Sequence, residues 1–309
     1  MLSRGGLAAL LALAAILPAQ AKHMYQYTDA QGVVHFTDIK PAEDVKDLKS
    51  TQVRTDAQPL VRTREEGPDA DRTFVFVNTS GGAVTAEVYL ERAYNVRSDP
   101  DLPARVVLPA RTDTRAVRIM AVNPTGGYQY TVRYRYMPGD IHAQPDPQAH
   151  YRLPFAPSSN FRVAQAFGGK GSHSDTQNYY AVDIAMPEGT PVLAARDGVV
   201  MTVDNDFFGA GLDMKKYGDR ANNVRIVHAD GTMAVYAHLQ LEGARVQVGD
   251  RVRAGQVIGL SGETGYTSGP HLHFCVQRNA DMELVSIPFE FSGAQGAFKP
   301  EAGMILGGD

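Results

Sequence analysis

The sequence predicts an all-β protein. A C-terminal antiparallel β-sheet domain carrying a groove is expected, preceded by a small β-sandwich-like domain. Three observations carry this expectation. Apolar and polar residues alternate with period two in many short runs. Gly, Pro, Asn and Asp separate these runs at turn-like positions. No stretch shows a convincing amphipathic helical period. At 309 residues the chain is long enough for two or three domains. With 43% hydrophobic and 21% charged residues it can bury real cores, so disorder as a whole is excluded. The formal charge of −4 leaves no basic footprint, so nucleic acid is not an expected partner.

Residues 1–21 read "MLSRGGLAALLALAAILPAQA". Arg4 gives a positive end, Leu7 to Leu17 is apolar, and Ala19-Gln20-Ala21 is a small-x-small cleavage signal. This is the layout of a secretory signal peptide, and its apolar run is shorter than the roughly 20 residues a bilayer span needs. Cleavage would remove one positive charge and leave −5. Cys275 is the only cysteine, so no intrachain disulfide forms, and no cysteine near the cleavage point offers a lipid attachment site. The expected product is periplasmic or secreted, with no integral membrane segment after signal cleavage.

Residues 22–40, "KHMYQYTDAQGVVHFTDIK", alternate around Asp29-Ala30-Gln31-Gly32 and predict a small hairpin module. Residues 41–72 are charged and polar and read as a solvated linker. Residues 73–140 contain β-type runs such as "TFVFVN" and "GYQYTVRYRYM", expected to build the sandwich. In the last run Tyr128, Tyr130, Val132, Tyr134 and Tyr136 share one face, read as core in preference to a stacking surface. Residues 141–150 form a proline-containing connector, 151–293 the C-terminal domain, and 294–309 a Gly-rich tail expected to be flexible.

Candidate chemistry lies in the C-terminal domain. Five of the nine histidines are there: His173, His228, His238, His271 and His273. In "YYAVDIAM", period two places Asp183 between apolar neighbours, where an unpaired carboxylate would be costly. In "SGPHLHFCV", His271, His273 and Cys275 point to one face, and Leu272, Phe274 and Val276 to the other. A catalytic zinc takes three protein ligands and keeps one position open. His173, Asp183 and His273 supply two nitrogens and an oxygen, a suggestive set that is not local in sequence.

The segments "SHSDTQNYYAVDIAMPEGTPVLAARDGVV", "NNVRIVHADGTMAVYAHL" and "VGDRVRAGQVIGLSGETGYTSGPHLHF" resemble, in order and register, those of lysostaphin-type (LytM-like) zinc endopeptidases of bacterial cell walls. The resemblance covers roughly residues 160–290. It implies one zinc ion held by His173, Asp183 and His273, with His238 and His271 as the catalytic pair. It implies peptidoglycan stem or cross-bridge peptides as partners. Residues 22–40 resemble a short module of unknown function found at the N-termini of exported Gram-negative proteins. Together these favour D-alanyl–diaminopimelate bonds as the target. The alternative is a non-catalytic peptidoglycan-binding regulator that activates another cell-wall hydrolase; occupancy of all five expected positions argues against it.

There are departures from the family pattern. The commoner spacing leaves three residues between the first His and the Asp, and here nine intervene, so His150 stands as an alternative first ligand. Cys275 stands where an acidic residue is frequent and is an alternative thiolate ligand. Residues 204–222 look like an inserted loop whose Phe207, Phe208 and Tyr217 would shape access. Gly259, Gly262, Gly265 and Gly269 either admit a thin peptide or simply make turns. His228 is read as structural.

Overall fold

The structure is a computed structural model that describes residues 22–28, 34–37, 46–53 and 59–308. The signal-peptide reading and the turn at 29–32 lie outside these residues. Two compact units are present, Met1–Asp56 and Ala57–Asp309.

In the first unit, β1 (Lys22–Thr28) lies between β2 (Val34–Thr37) and β3 (Lys46–Val53), antiparallel to both. The β1–β2 pair is the expected hairpin. β3 corrects the linker reading of 41–72. Two strands alone would be marginal, and a third supplies more pairing. Lysine and polar residues suit an edge strand, and they hide its alternation. The same segment also holds β4 (Val61–Glu66) and the start of β5 (Asp71–Asn78). β4 buries only Val61, so its sequence reads as a charged run.

The second unit begins with a two-sheet sandwich. Its remaining strands are β6 (Val84–Tyr94), β7 (Val96–Asp99), β8 (Ala104–Leu108), β9 (Asp113–Ala121) and β10 (Gln129–Pro138). One sheet has the order β4-β5-β9-β7 and the other β10-β6-β8. Phe76, Val88, Leu108 and Ile119 are fully buried between them. Tyr130 and Tyr134 of β10 meet Phe74 and Phe76 edge-on, at ring distances of 6.4 and 5.0 Å. The tyrosine stripe is therefore core-facing, an arrangement favoured by the ring quadrupoles. Arg133 and Arg135, on the opposite face, pair with Glu91 and Glu87.

The C-terminal domain holds β11 (His150–Tyr151), β12 (Asn160–Gln165), β13 (Val182–Ala185), β14 (Pro191–Leu193), β15 (Gly198–Asp204) and β16 (Ala210–Gly211). After the four-residue helix α1 (Met214–Tyr217) come β17 (Asn222–Val227), β18 (Met233–Leu239), β19 (Arg251–Val252), β20 (Val257–Leu260) and β21 (Gly265–Tyr266). The long β22 (His271–Asn279) is followed by β23 (Leu284–Ser286), β24 (Glu290–Gly293), β25 (Gly296–Phe298) and β26 (Ile305–Gly307). The main sheet runs β19-β15-β17-β18-β22-β13-β12-β26, with β23 paired beside β22. No described helix is long and apolar enough to cross a membrane. One face of the sheet buries Phe274, Leu272, Tyr236, Ile226 and Ile184 with Phe289 and Phe291. The tail is docked, contrary to expectation. β26 pairs with β12, and Leu306, 2% exposed, joins that core.

The sandwich packs against the other face of the same sheet. Its core continues through Met201, Met233 and Leu284. Gly81 N donates to Met201 O (2.9 Å), and Asn279 Nδ2 donates to Gly139 O (3.2 Å).

His228 is structural, closing the Asp230-Gly231 turn. Its Nδ1 lies 2.8 Å from Asp197 O, and Nε2 is buried without a hydrogen-bond partner. Burial pushes its pKa down to about 4. An unfolded chain takes up this proton near pH 6.5. Between pH 6.5 and 4 the unfolded state therefore binds more protons, and stability falls as pH drops. That loss is up to about 3 kcal/mol. The stability gap between the wild type and His228→Gln is expected to shrink from pH 7 to pH 4.5 in urea unfolding. A gap that stays constant would contradict this origin.

Candidate metal centre

The centre forms where β13, β22 and β18 lie side by side. Asp183 pairs in register with His273, and His273 pairs with Ala237. Period two then puts Asp183, His271 and His273 on one face, while Val182, Ile184, Leu272 and Phe274 fill the core. His273 Nδ1 is 2.9 Å from Asp183 Oδ1. His238 follows Ala237 with a left-handed φ of +63°, rare for a residue with a side chain and typical of functional sites. Its ring lies 4.5 Å from that of His271 and 5.9 Å from that of His273.

His173 arrives on the loop between β12 and β13. It is fully buried, with Nε2 3.2 Å from Asp183 Oδ1. The commoner spacing would place the first histidine at 179. Tyr179 stands there instead, 46% exposed, with its ring against Gly168. Gln165 closes the longer loop onto the centre. Its Nε2 donates to Ser172 Oγ (2.9 Å) and Asp183 Oδ2 (3.0 Å), and its Oε1 accepts from Gly171 N (2.8 Å).

These residues suit a divalent metal. His173 Nδ1 lies 3.0 Å from Ala166 O, so Nδ1 carries the proton and Nε2 presents a lone pair. That lone pair faces a carboxylate oxygen and is buried with no hydrogen-bond partner. Two acceptors so placed call for a cation between them. Ligand atoms of His173, Asp183 and His273 all lie within 4.8 Å of one another. Burial works to raise the Asp183 pKa, but the imidazoles of His173, His273 and His271 around it outweigh that and hold the carboxyl ionised. Burial likewise works to lower the His173 pKa, and Asp183 outweighs it, so the value is raised. Proton and metal compete for the same place.

His238 and His271 are held in a matching way. His238 Nδ1 is 2.7 Å from Thr264 O. His271 Nδ1 is 2.9 Å from Gly269 O and 3.2 Å from Thr267 Oγ1. Each Nδ1–H is thus committed to a carbonyl or hydroxyl oxygen, which leaves Nε2 free of it. His271 Nε2 points inward, 3.7 Å from Asp183 Oδ1. Burial, then the charges of His271 and His273, push the His238 pKa down to about 3, so this ring is a neutral acceptor.

Three supporting residues escaped sequence reasoning: Gln165, Asn222 and Thr264. Asn222 is fully buried, and its side chain holds both Phe207 N (2.8 Å) and Phe207 O (2.7 Å). Asn222 N donates to Thr264 Oγ1 (3.0 Å), whose carbonyl orients His238. Their only signal was a polar side chain beside an apolar run. The inserted loop is fixed by β16 pairing parallel with β21. Phe207, 3% exposed, is an anchor and not an access residue; Tyr217 folds back onto Gly209 and Gly211. Gly262 and Gly265 are close-approach positions. A Cβ at Gly262 would sit 2.4 Å from Gln240 N, and one at Gly265 would sit 2.7 Å from Ala221 Cβ. His150 lies on β11, 3.9 Å from Glu290, and is not in the ligand group. Cys275 is excluded too. Its Sγ faces Gln177 O at 3.4 Å, and burial pushes the thiol up to about 12.

Residues 177–283 match the description Peptidase family M23. The C-terminal domain belongs to peptidase family M23. The match includes Asp183, His238, His271 and His273 and begins just after His173. Residues 9–68 match a domain of unknown function, DUF4124. The M23 domain is similar to the glycyl-glycine endopeptidase ALE-1 of Staphylococcus capitis, 36% identical over 38% of this chain and 29% of that protein. It is similar to the DD-carboxypeptidase/endopeptidase Mpg of Neisseria meningitidis serogroup B, 43% identical over 30% of this chain and 18% of that protein. It is also similar to the peptidoglycan DD-endopeptidase ShyA of Vibrio cholerae, 36% identical over 38% of this chain and 25% of that protein. The chain spans under a third of the length of each of these relatives.

Within the M23 domain, Gln165 ties Asp183 to the His173 loop, and such outer partners commonly matter 10–100-fold for metal affinity. Gln165→Ala is expected to weaken metal binding by roughly that factor, measured by chelator competition. Unchanged affinity would show that Gln165 only closes the loop.

Proposed function

We propose that the M23 domain is a zinc-dependent endopeptidase that hydrolyses peptide cross-links of peptidoglycan outside the cytoplasm. One observation carries the reading: the buried, partnerless His173 Nε2 faces Asp183 and His273 beside two further imidazoles. His173, Asp183 and His273 would hold zinc. When bound, zinc polarises the scissile carbonyl and lowers the pKa of an adjacent water to about 7.

The chain's own residues do the rest. Asp183 stays ionised and braces His173 and His273. His238 and His271, each fixed through Nδ1, turn Nε2 toward the reacting groups. The pair assists removal of the attacking water's proton and its delivery to the leaving amine, with His238 kept a neutral acceptor by burial. The names of Mpg and ShyA support D,D bonds, here D-alanyl–diaminopimelate, over glycyl-glycine. The signal-like residues 1–21 support export to the periplasm or beyond.

The test is digestion of purified sacculi by the chain lacking residues 1–21, with and without chelator, read by mass spectrometry. Chelator-sensitive cuts at D-alanyl–diaminopimelate bonds are expected. Sacculi left intact at every zinc level would refute hydrolysis and favour the regulator.

A further inference from the structure

The sheet face that carries the metal centre has three successive rows of side chains. The first row is Asn223, Ala237, His273 and Asp183. The second is Arg225, Val235 and Cys275. The third is Val227, Met233 and Gln277, and there the sandwich begins, because Met233 and Val227 belong to its core. Arg225 thus stands between the centre and the sandwich. Its Cα lies one row, about 7 Å, along the strands and two strands, about 10 Å, across the sheet from His273.

This guanidinium is poorly matched. It has five N–H donors. One goes to the neutral Gln277 Oε1 at 2.7 Å, and the Asp204 carboxylate acts on it as a nearby charge. Gln277 is 4% exposed and donates onward to Gln177 O (2.9 Å), so it cannot swing away. Burial pulls the Arg225 pKa down to about 10. A charge taken this far out of water is costly unless an anion joins it. Residue 225 as a whole keeps some exposed surface, which gives an anion a path to it. Peptide residues advance about 3.3 Å each when extended. The straight-line separation from His273 is about 12 Å, so a group about four residues from the scissile bond falls near Arg225.

We propose that Arg225 is a specificity residue that receives a free carboxylate of the peptide substrate about four residues from the bond cleaved. This rests on the groove being a peptide site, as proposed above. Gln277 holds one arm of the guanidinium, and the remaining N–H donors are left for a ligand. A carboxylate there forms charge-assisted hydrogen bonds, and a carboxamide does not gain them equally.

The test compares equilibrium binding of two probes to the metal-free chain, where turnover does not interfere. One probe is a cross-linked stem-peptide dimer with free carboxyl groups, and the other is the same dimer with those groups amidated. The wild type is expected to bind the carboxylate form roughly 10- to 100-fold more tightly, the usual range for a charged hydrogen bond. Arg225→Gln should erase the ratio, and Arg225→Lys should keep part of it. Equal binding of the two probes by the wild type, or no binding of either, would overturn the proposal. So would an unchanged ratio in Arg225→Gln. The wild-type ratio alone decides if that variant misfolds. Zinc-loaded wild type is assayed in parallel. Failure to cleave either probe would refute the hydrolase reading and leave the binding ratio to judge Arg225.

Discussion

The His271→Ala chain is expected to retain one zinc per molecule and to lose sacculus hydrolysis by about 10²- to 10⁴-fold, the usual worth of a positioned acid–base group. The reason is geometric. His271 Nε2 is 3.7 Å from Asp183 Oδ1, whereas the ligand set closes through His173, Asp183 and His273 alone. His271 also hangs from Gly269 O and Thr267 Oγ1, so its removal disturbs a loop end and not the Asp183–His273 pair. The measurement is metal content by mass spectrometry together with turnover. Loss of zinc from His271→Ala would reverse the two histidine roles.

His273→Ala should do the opposite and abolish zinc retention along with activity. It removes a ligand and also the hydrogen bond that helps keep Asp183 ionised. The remaining His173 and Asp183 would be one ligand short of the three that a catalytic site uses. A His273→Ala chain that still carries stoichiometric zinc after dialysis would remove His273 from the centre. The paired outcomes matter because the two residues are two apart on one strand. General damage to β22 would affect both variants alike, so only distinct roles separate them.

Much of the centre was legible because a strand has a period of two. Once "PHLHF" and "YAVDIAM" were read as strands, the shared face of His271, His273 and Asp183 followed, and the Asp183–His273 register confirms it. The β-rich fold was legible for the same reason. What failed depends on pairing across long sequence distances. β3 and β26 carry weak patterns of their own and are strands through their partners β1 and β12. Gln165 looks like an ordinary polar residue until the loop returns to Asp183. The left-handed turn at His238 leaves no mark in composition. The nine residues between His173 and Asp183 blurred the first ligand; the structure separates the two candidates, with His173 beside Asp183 and His273 and His150 on β11 beside Glu290.

The sandwich core runs on into Met201, Met233 and Leu284 of the main sheet. The connector at 141–150 is therefore a boundary in the chain but not in the hydrophobic interior. A C-terminal domain excised there would turn two buried methionines and a leucine to water, on the same face that holds the metal ligands. The sandwich thus serves the M23 domain as a missing wall, and the two share one hydrophobic interior.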